Sequence, residues 1–296
     1  MPTFSFATLP PQIGRTVVIT GANSGIGRSA AKAMAARGAR VVLAVRDIAK
    51  GRAAAATMTG ETVVHRLDLG DLTSVRQFAD TFDEPIDLLI NNAGLMVPPL
   101  GRTADGFELQ FGTNHLGHFA LTNLLLPRIR GRVVTVSSGG HRAGKIDFDD
   151  LNWERRRYRP MAAYGQSKLA NLLFTAELQR RLTAAGSPVL ANAAHPGLAS
   201  TNLLHHQGVP GWMAAMQRPL VRWLAQSEDD GALPTLYAAV ADVPGNSYAG
   251  PSGFLEGRGA PELVRRSRAA RDADVARRLW TVSEQLTGVR FAPAHV

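Results

Sequence analysis

The stretch Thr20-Gly-Ala-Asn-Ser-Gly-Ile-Gly27 decides how this chain is read. It follows a β-branched run, Arg15 to Thr20, that reads as a buried strand, and it opens an alanine-rich helical run, Gly25 to Arg37. Glycines let the backbone turn tightly and approach a pyrophosphate, which rests against the free N–H groups of a helix N-terminus. On this reading Gly21, Asn23, Ser24, Gly25, Ile26 and Gly27 form a phosphate cradle. A plain strand-to-helix turn is the alternative, so the surrounding sequence carries weight.

Outward from that turn, short apolar runs alternate with helical stretches. Strands are expected at Arg40 to Val45, Thr62 to Arg66, Ile86 to Ile90, Arg132 to Ser137 and Val189 to Ala194. Helices are expected near Ile48 to Met58, Leu72 to Phe82, Thr113 to Leu126, from Tyr164 to Leu182, and at Ala269 to Leu286. This alternation implies a doubly wound parallel sheet covered by helices on both faces, an α/β/α sandwich of the Rossmann type in one domain. Two segments break the rhythm: the polar stretch from His141 to Pro160, and Asn202 to Ser227, rich in Gly, Pro, Trp and Met. Both follow strands, where loops border the ligand crevice. The second reads as a helix packed on the core, a lid over a lipophilic substrate, or a helix lying on a membrane surface.

Further motifs sit at strand ends. Arg46 follows the second strand, where an acidic residue would bind a ribose 2′-hydroxyl and an arginine accommodates a 2′-phosphate. NADP(H) is therefore expected over NAD(H), the alternative being a solvated Arg46 beside an N-capping Asp47. Asp68-Leu69 ends the third strand, where the carboxylate either accepts an adenine amino group or enters the next helix. Asn91-Asn92-Ala93-Gly94 ends the fourth, with small residues, Ala93 and Gly94, that let the backbone pass close to a nucleotide. Tyr164 and Lys168 stand four residues apart and share one helix face. An ammonium beside a phenol is expected to lower the phenol's pKa, making the tyrosine a proton donor and acceptor.

Composition removes other classes. The 296 residues are 45% hydrophobic and 19% charged, which argues against extensive disorder. No cysteine is present, which excludes disulfides and thiol nucleophiles and fits a cytoplasmic protein. Neither a signal peptide nor an apolar run of about 18 residues is apparent. The net charge of +9 raises nucleic acid as a partner, yet the arginines are scattered and no nucleic-acid module accompanies them. His115 and His118 share helical spacing but lack an acidic partner, so no metal site is expected.

Thr20–Gly27, Asn91–Gly94, Asn114, Ser138, Tyr164/Lys168 and His195-Pro196-Gly197 resemble, in order and spacing, the motifs of the short-chain dehydrogenase/reductase family. The resemblance spans about residues 14 to 202. Asp147-Phe-Asp-Asp-Leu151 and Gly165-Gln-Ser-Lys-Leu-Ala-Asn171 are similar to the branch of the retinol dehydrogenases, WW-domain oxidoreductases and protochlorophyllide reductases. It implies that residues 14–200 form the cofactor-binding and catalytic core, and 201–296 the substrate-binding segment and C-terminal helices. Tyr164 would be the acid in carbonyl reduction and the base in alcohol oxidation. Lys168 would lower its pKa and hold the nicotinamide ribose. Ser138, or alternatively Ser137, would hydrogen-bond the substrate oxygen, and Asn114 would bind a water relaying protons through Lys168. Pro196, Gly197 and Thr201 would meet the nicotinamide. His195 is expected to be structural or to line the pocket.

The expected function is therefore NADP(H)-dependent interconversion of a carbonyl and an alcohol on an apolar small molecule. Reduction of an activated C=C bond, or NADP(H) binding without turnover, are the alternatives. Pairing of two copies through the helices around Asn114 and Tyr164 follows from the resemblance, and contact with a membrane surface is the less favoured partner reading.

Overall fold

The computed structural model describes residues 3–197 and 227–292. The middle positions of its central strands are apolar because both faces of the sheet are covered. Val17, Ile19, Val41 and Leu43 bury into one layer, while Val18, Val42 and Ala44 bury into the other.

Eight strands are ordered β3-β2-β1-β4-β5-β6-β7-β8. They are β1 (Thr16–Thr20), β2 (Arg40–Val45), β3 (Thr62–Arg66), β4 (Ile86–Asn91), β5 (Ile129–Val136), β6 (Leu190–Ala194), β7 (Tyr248–Pro251) and β8 (Pro261–Leu263). All pair in parallel except β8, which runs antiparallel to β7. One face carries α1 (Gly25–Ala36), α2 (Ile48–Ala55) and α6 (Glu228–Val240). The other carries α3 (Leu72–Asp80), α4 (Gly117–Leu125), α5 (Pro160–Ala184) and α7 (Ala273–Thr287). Strand order reverses between β1 and β4, so the crevice opens at the carboxyl ends of those strands.

The first six strands follow the sequence reading, although β5 begins at Ile129 rather than Arg132. The passage into α4 is longer than expected. It starts at Leu109 and runs through a π turn, Gly112–Leu116, that contains Asn114. The expected closing helix is split: Ala269–Arg271 forms a short 3-10 turn, and the Asp272 carboxylate then caps α7 through the N–H groups of Asp274 and Val275. Helix α6 and strands β7 and β8 were not read from the sequence. Pro234 inside α6 and the shortness of both strands blur their periodicity.

Helix α7 closes the face that carries α4 and α5. Trp280, 1% exposed, lies edge-on to Phe119 at 4.9 Å and stacks on Phe174 at 5.7 Å. Its indole N–H donates to Glu284 Oε1 at 2.9 Å. His115 and Ser283 add a buried 2.9 Å hydrogen bond between the π turn and α7. Every residue of α5 from Ala163 to Thr175 is buried, as are all of α4 except Leu124. The chain's own α7 thus packs on α4 and α5. Trp280→Ala should cost about 3–5 kcal/mol, the range for truncating a buried aromatic, and a denaturant midpoint measurement checks it. Among the described residues no helix is long and apolar enough to cross a membrane.

Candidate active site

A cleft of about 340 Å³ lies over the carboxyl ends of the central strands, large enough to seat a small molecule or part of a cofactor. Of the residues singled out from the sequence, Gly21, Asn23, Ser24, Gly25, Ile26, Gly27, Arg46, Asp68, Leu69, Ala93, Gly94, Tyr164, Lys168 and Pro196 line it. Thr201 and nearly all of Asn202–Ser227 lie outside the described residues.

The glycine turn fits a phosphate on two grounds. Ser24, the N-cap of α1, makes no side-chain cap hydrogen bond, and the first turn holds no acidic residue. By contrast Asp47, Asp71, Ser227 and Asp272 each cap their own helix. The N–H groups of α1 are therefore left for an anion. The cradle is also crowded: a Cβ on Gly27 would stand 2.3 Å from Asn92 Nδ2 and 2.6 Å from the Gly21 carbonyl. Gly21 itself has φ +68°. A dinucleotide pyrophosphate thus matches residues present here.

At the far end of the cleft, Arg46 is exposed and makes no hydrogen bond or ion pair among the described residues. Asp47 also lines the cleft, with its carboxylate drawn towards Lys50. It accepts from Lys50 N at 3.1 Å as the cap of α2 and stands 3.6 Å from Lys50 Nζ. The hydrogen bond from the Lys50 N–H is the largest influence holding its carboxyl below the usual range. Lys50 lines the cleft too, one turn beyond Arg46, a second cation that sequence reading missed. Asp68 keeps both of its sequence readings: Oδ1 accepts from Gly70 N at 2.9 Å, yet the residue lines the cleft.

Asn91 needs correction. Its side chain is fully buried, and Nδ2 donates to Thr122 Oγ1 at 2.8 Å on α4, because the last residue of a strand with period-2 alternation points it into the layer behind the sheet. Asn92 lines the cleft instead, donating to the Thr20 carbonyl at 2.8 Å. Thr20 Oγ1 accepts from the N–H groups of Asn92 and Ala93, both at 2.9 Å. Its proton is then directed to His118 Nε2, 2.9 Å away, which leaves His118 Nδ1–H to donate to the Asn114 carbonyl at 3.0 Å. Burial pushes His118 down to about 4, so it is a neutral link between β1, β4 and the π turn.

Asn114 is buried with its side chain fully used. Oδ1 accepts from Leu95 N at 2.7 Å, and Nδ2 donates to the Leu95 carbonyl and to Ser167 Oγ, both at 2.9 Å. The amide thereby clamps the loop after β4. A Cβ on Gly94 would stand 3.2 Å from Asn114 Oδ1 and 3.3 Å from Lys168 Nζ, so a larger residue would press on both side chains.

Tyr164 and Lys168 lie in the first half of α5, where Pro160 occupies the first turn with its preset φ. The segment from His141 to Pro160 braces this helix. Arg156 pairs with Asp147 at 2.9 Å, stacks on Trp153 at 3.7 Å and donates to Gln166 Oε1 at 3.0 Å. Gln166 in turn donates to the Leu151 carbonyl at 2.9 Å. Gly165 is a packing residue, since its Cβ would meet Gly140 O at 3.1 Å and Gly144 at 3.2 Å.

The electrostatics differ from the sequence reading. Burial raises the Tyr164 phenol above its usual pKa, and a hydrogen bond with Ser138 only partly draws it back. Lys168 Nζ donates to the Val136 carbonyl at 3.2 Å and lies 5.7 Å from the centre of the Tyr164 ring. Burial lowers the ammonium to about 8, and its charge does not offset the desolvation of the phenol. Ser138 accepts from Gly140 N at 3.1 Å and keeps its proton to donate. Ser137, which lines the cleft, donates its hydroxyl proton to the Lys168 carbonyl at 2.7 Å. Neither Ser138 nor Asn114 forms the cleft floor, and Gly197, at φ +69°, donates its N–H to His195 Nδ1 at 3.2 Å.

A glycine-cradled crevice at the reversal of a doubly wound sheet, with a tyrosine and a lysine one turn apart beside it, defines a nucleotide-dependent oxidoreductase. The chain belongs to the short-chain dehydrogenase family, whose model matches residues 15–208. It is 46% identical to human retinol dehydrogenase 13 over 96% of this chain and 87% of that protein. It is 42% identical to mouse polyprenol dehydrogenase, over 95% of this chain and 86% of that one. A crystal structure of an uncharacterised protein from Mycobacterium paratuberculosis shares 54% identity with a TM-score of 0.86, covering 98% of this chain and all of that one. A Beutenbergia cavernae protein described as an NAD(P)-dependent gluconate 5-dehydrogenase, with NADP bound at low occupancy, aligns at 25% identity and TM-score 0.59 over 77% of this chain and 90% of its own. The chain is an oxidoreductase of this family acting by NAD(P)-dependent hydride transfer.

Proposed function

We propose that this protein is an NADP(H)-dependent carbonyl reductase for apolar aldehydes or ketones, with Tyr164 as the proton donor. The observation that carries this reading is the Tyr164 phenol itself. It is protonated at neutral pH, with burial raising it further, and it stands next to a serine hydroxyl with a proton to give. A protonated phenol is an acid, which suits carbonyl reduction better than alcohol oxidation.

The bound dinucleotide would supply the hydride. Tyr164 gives its proton to the substrate oxygen, and Ser138 donates a hydrogen bond to that oxygen as charge develops. Lys168, anchored on Val136, has donors to spare for ribose hydroxyls and for the phenolate left behind. The α1 N-terminus takes the pyrophosphate, and the backbone at Pro196 and Gly197 takes the nicotinamide. The names of the relatives, a retinol and a polyprenol dehydrogenase, support an apolar substrate. We also read the protein as cytoplasmic, in keeping with its lack of cysteine.

NADP(H) preference rests on the unpaired Arg46, with Lys50 beside it and Asp47 spent as a helix cap. Each charge-assisted contact to a 2′-phosphate is worth roughly 1.5–3 kcal/mol. NADPH should therefore raise the melting temperature more than NADH does. The double variant Arg46→Ala/Lys50→Ala should weaken NADPH binding by about 100-fold and leave NADH unchanged. Equal stabilisation of the unaltered protein by both cofactors would refute the preference, and no NADPH oxidation across a panel of apolar aldehydes and ketones would refute the activity.

A further inference from the structure

The loops after β5 and β6 form two walls of the catalytic cleft, and a single distant carboxylate joins them. Glu256 sits in the turn between β7 and β8. Its Oε1 accepts from Arg142 at 2.8 Å, and Arg142 lies four residues beyond Ser138, in the 3-10 turn Gly139–Ala143 that Ser138 caps. Its Oε2 stands 3.0 Å from Nε2 of His195, a close approach without hydrogen-bond alignment.

His195 is 2% exposed and immediately precedes Pro196. Its Nδ1 accepts from Gly197 N, which places the ring proton on Nε2, facing the carboxylate. Burial, with Arg142 and His141 adding to it, holds the imidazole neutral, at about 3. His141 supplies a parallel tie on the serine side, donating from Nδ1 to the Ser138 carbonyl at 2.7 Å while Nε2 accepts from Ser267 N at 3.2 Å. The Tyr248 ring lies between the two imidazoles, 5.7 Å from His141 and 5.1 Å from His195.

The turn is built at a cost that its own packing does not explain. Leu255 and Glu256 both have positive φ, +52° and +54°, a region that disfavours side-chain-bearing residues. Phe254 and Leu255 are 88% and 81% exposed, so the strain secures no apolar burial. What it does secure is an inward-pointing Glu256. Strand β7 is shaped to the same end, because a Cβ on Gly250 would stand 2.1 Å from His195 Nε2.

We infer that Glu256 is a positioning residue for the reaction, holding the Ser138 turn through Arg142 and the Pro196–Gly197 turn through His195. The inference rests on the carbonyl reductase reading above. It is tested with a double-mutant cycle on NADPH-dependent reduction of a responsive aldehyde, using Glu256→Ala, Ser138→Ala and their combination. Glu256→Ala should lower kcat/KM about 10- to 100-fold, the scale of a small misplacement at a reacting centre. Ser138→Ala should then cost less in that background than alone, because a serine already out of place has less to lose. Glu256→Gln, which keeps an acceptor for Arg142, should retain more activity than Glu256→Ala and carries the same cycle if the alanine variant does not fold. Leu255→Gly, which relieves strain in the same turn, should leave kcat/KM unchanged and raise the melting temperature. Equal costs of Ser138→Ala in both backgrounds would overturn the inference while leaving the functional reading intact. An unaltered protein that binds NADPH but reduces no substrate would defeat that reading and take this inference with it.

Discussion

Tyr164→Phe is expected to remove NADPH-dependent carbonyl reduction, by about 100- to 10,000-fold in kcat, while NADPH binding persists. The substitution deletes one oxygen from a ring that is 7% exposed and packed against Gly140, so no cavity forms and the fold should not suffer. The same oxygen is the protonated group beside Ser138, with burial raising its pKa further. Tyr158, the other phenol close in sequence, donates to Glu108 at 3.0 Å and is itself held above its usual pKa, chiefly by burial. Steady-state kinetics with an NADPH thermal-shift control decide the matter. Retained turnover in a variant that still binds NADPH would remove Tyr164 from the chemistry.

Lys168→Met should have opposite effects on activity and stability. Activity should fall by a comparable factor, since the ammonium is the cation one turn from the phenol. Stability should rise. Burial lowers Lys168 from 10.5 to about 8, so its charged form costs the native state about 3 kcal/mol relative to the unfolded chain. Because the folded pKa lies below the unfolded one, the unfolded chain binds more protons between those values. Stability from this group therefore increases as pH rises from about 8 to 10.5, and the penalty is complete below about 8. Methionine fills the site without a charge, and the Val136 carbonyl keeps Asn171 as a donor at 3.1 Å. The variant's advantage in melting temperature should be largest near pH 7 and shrink towards pH 9.5. A less stable variant, or an advantage independent of pH, would show that Lys168 is held by more than its contact with Val136.

The opposition between these two properties illustrates why the site resists reading by local rules. A lysine four residues from a tyrosine reads as a pair that lowers the phenol's pKa. Burial of both reverses the sign, and burial is a property of everything packed around α5, including the brace of Arg156 on Gln166 and the cover of α7. Asn91 was misread for a related reason. Its place at a strand end was legible, but which layer its side chain enters depends on the register of β4 against β1.

Taken alone, the order of residues determined the alternation of strands and helices through the first six strands, the glycine turn, and the Tyr164/Lys168 spacing. These are local: period-2 and period-3.6 burial and the freedom of glycine act within one or two elements. Only the tertiary structure decided what depends on distant segments meeting. It spent the Asn114 amide on Leu95, tied the Ser137 hydroxyl to the Lys168 carbonyl and set Trp280 across α4 and α5. It also carried Glu256 to His195, 61 positions away in the chain. Hydrogen bonds and burial between remote elements have no period in the sequence, so folding alone settles which partners exist.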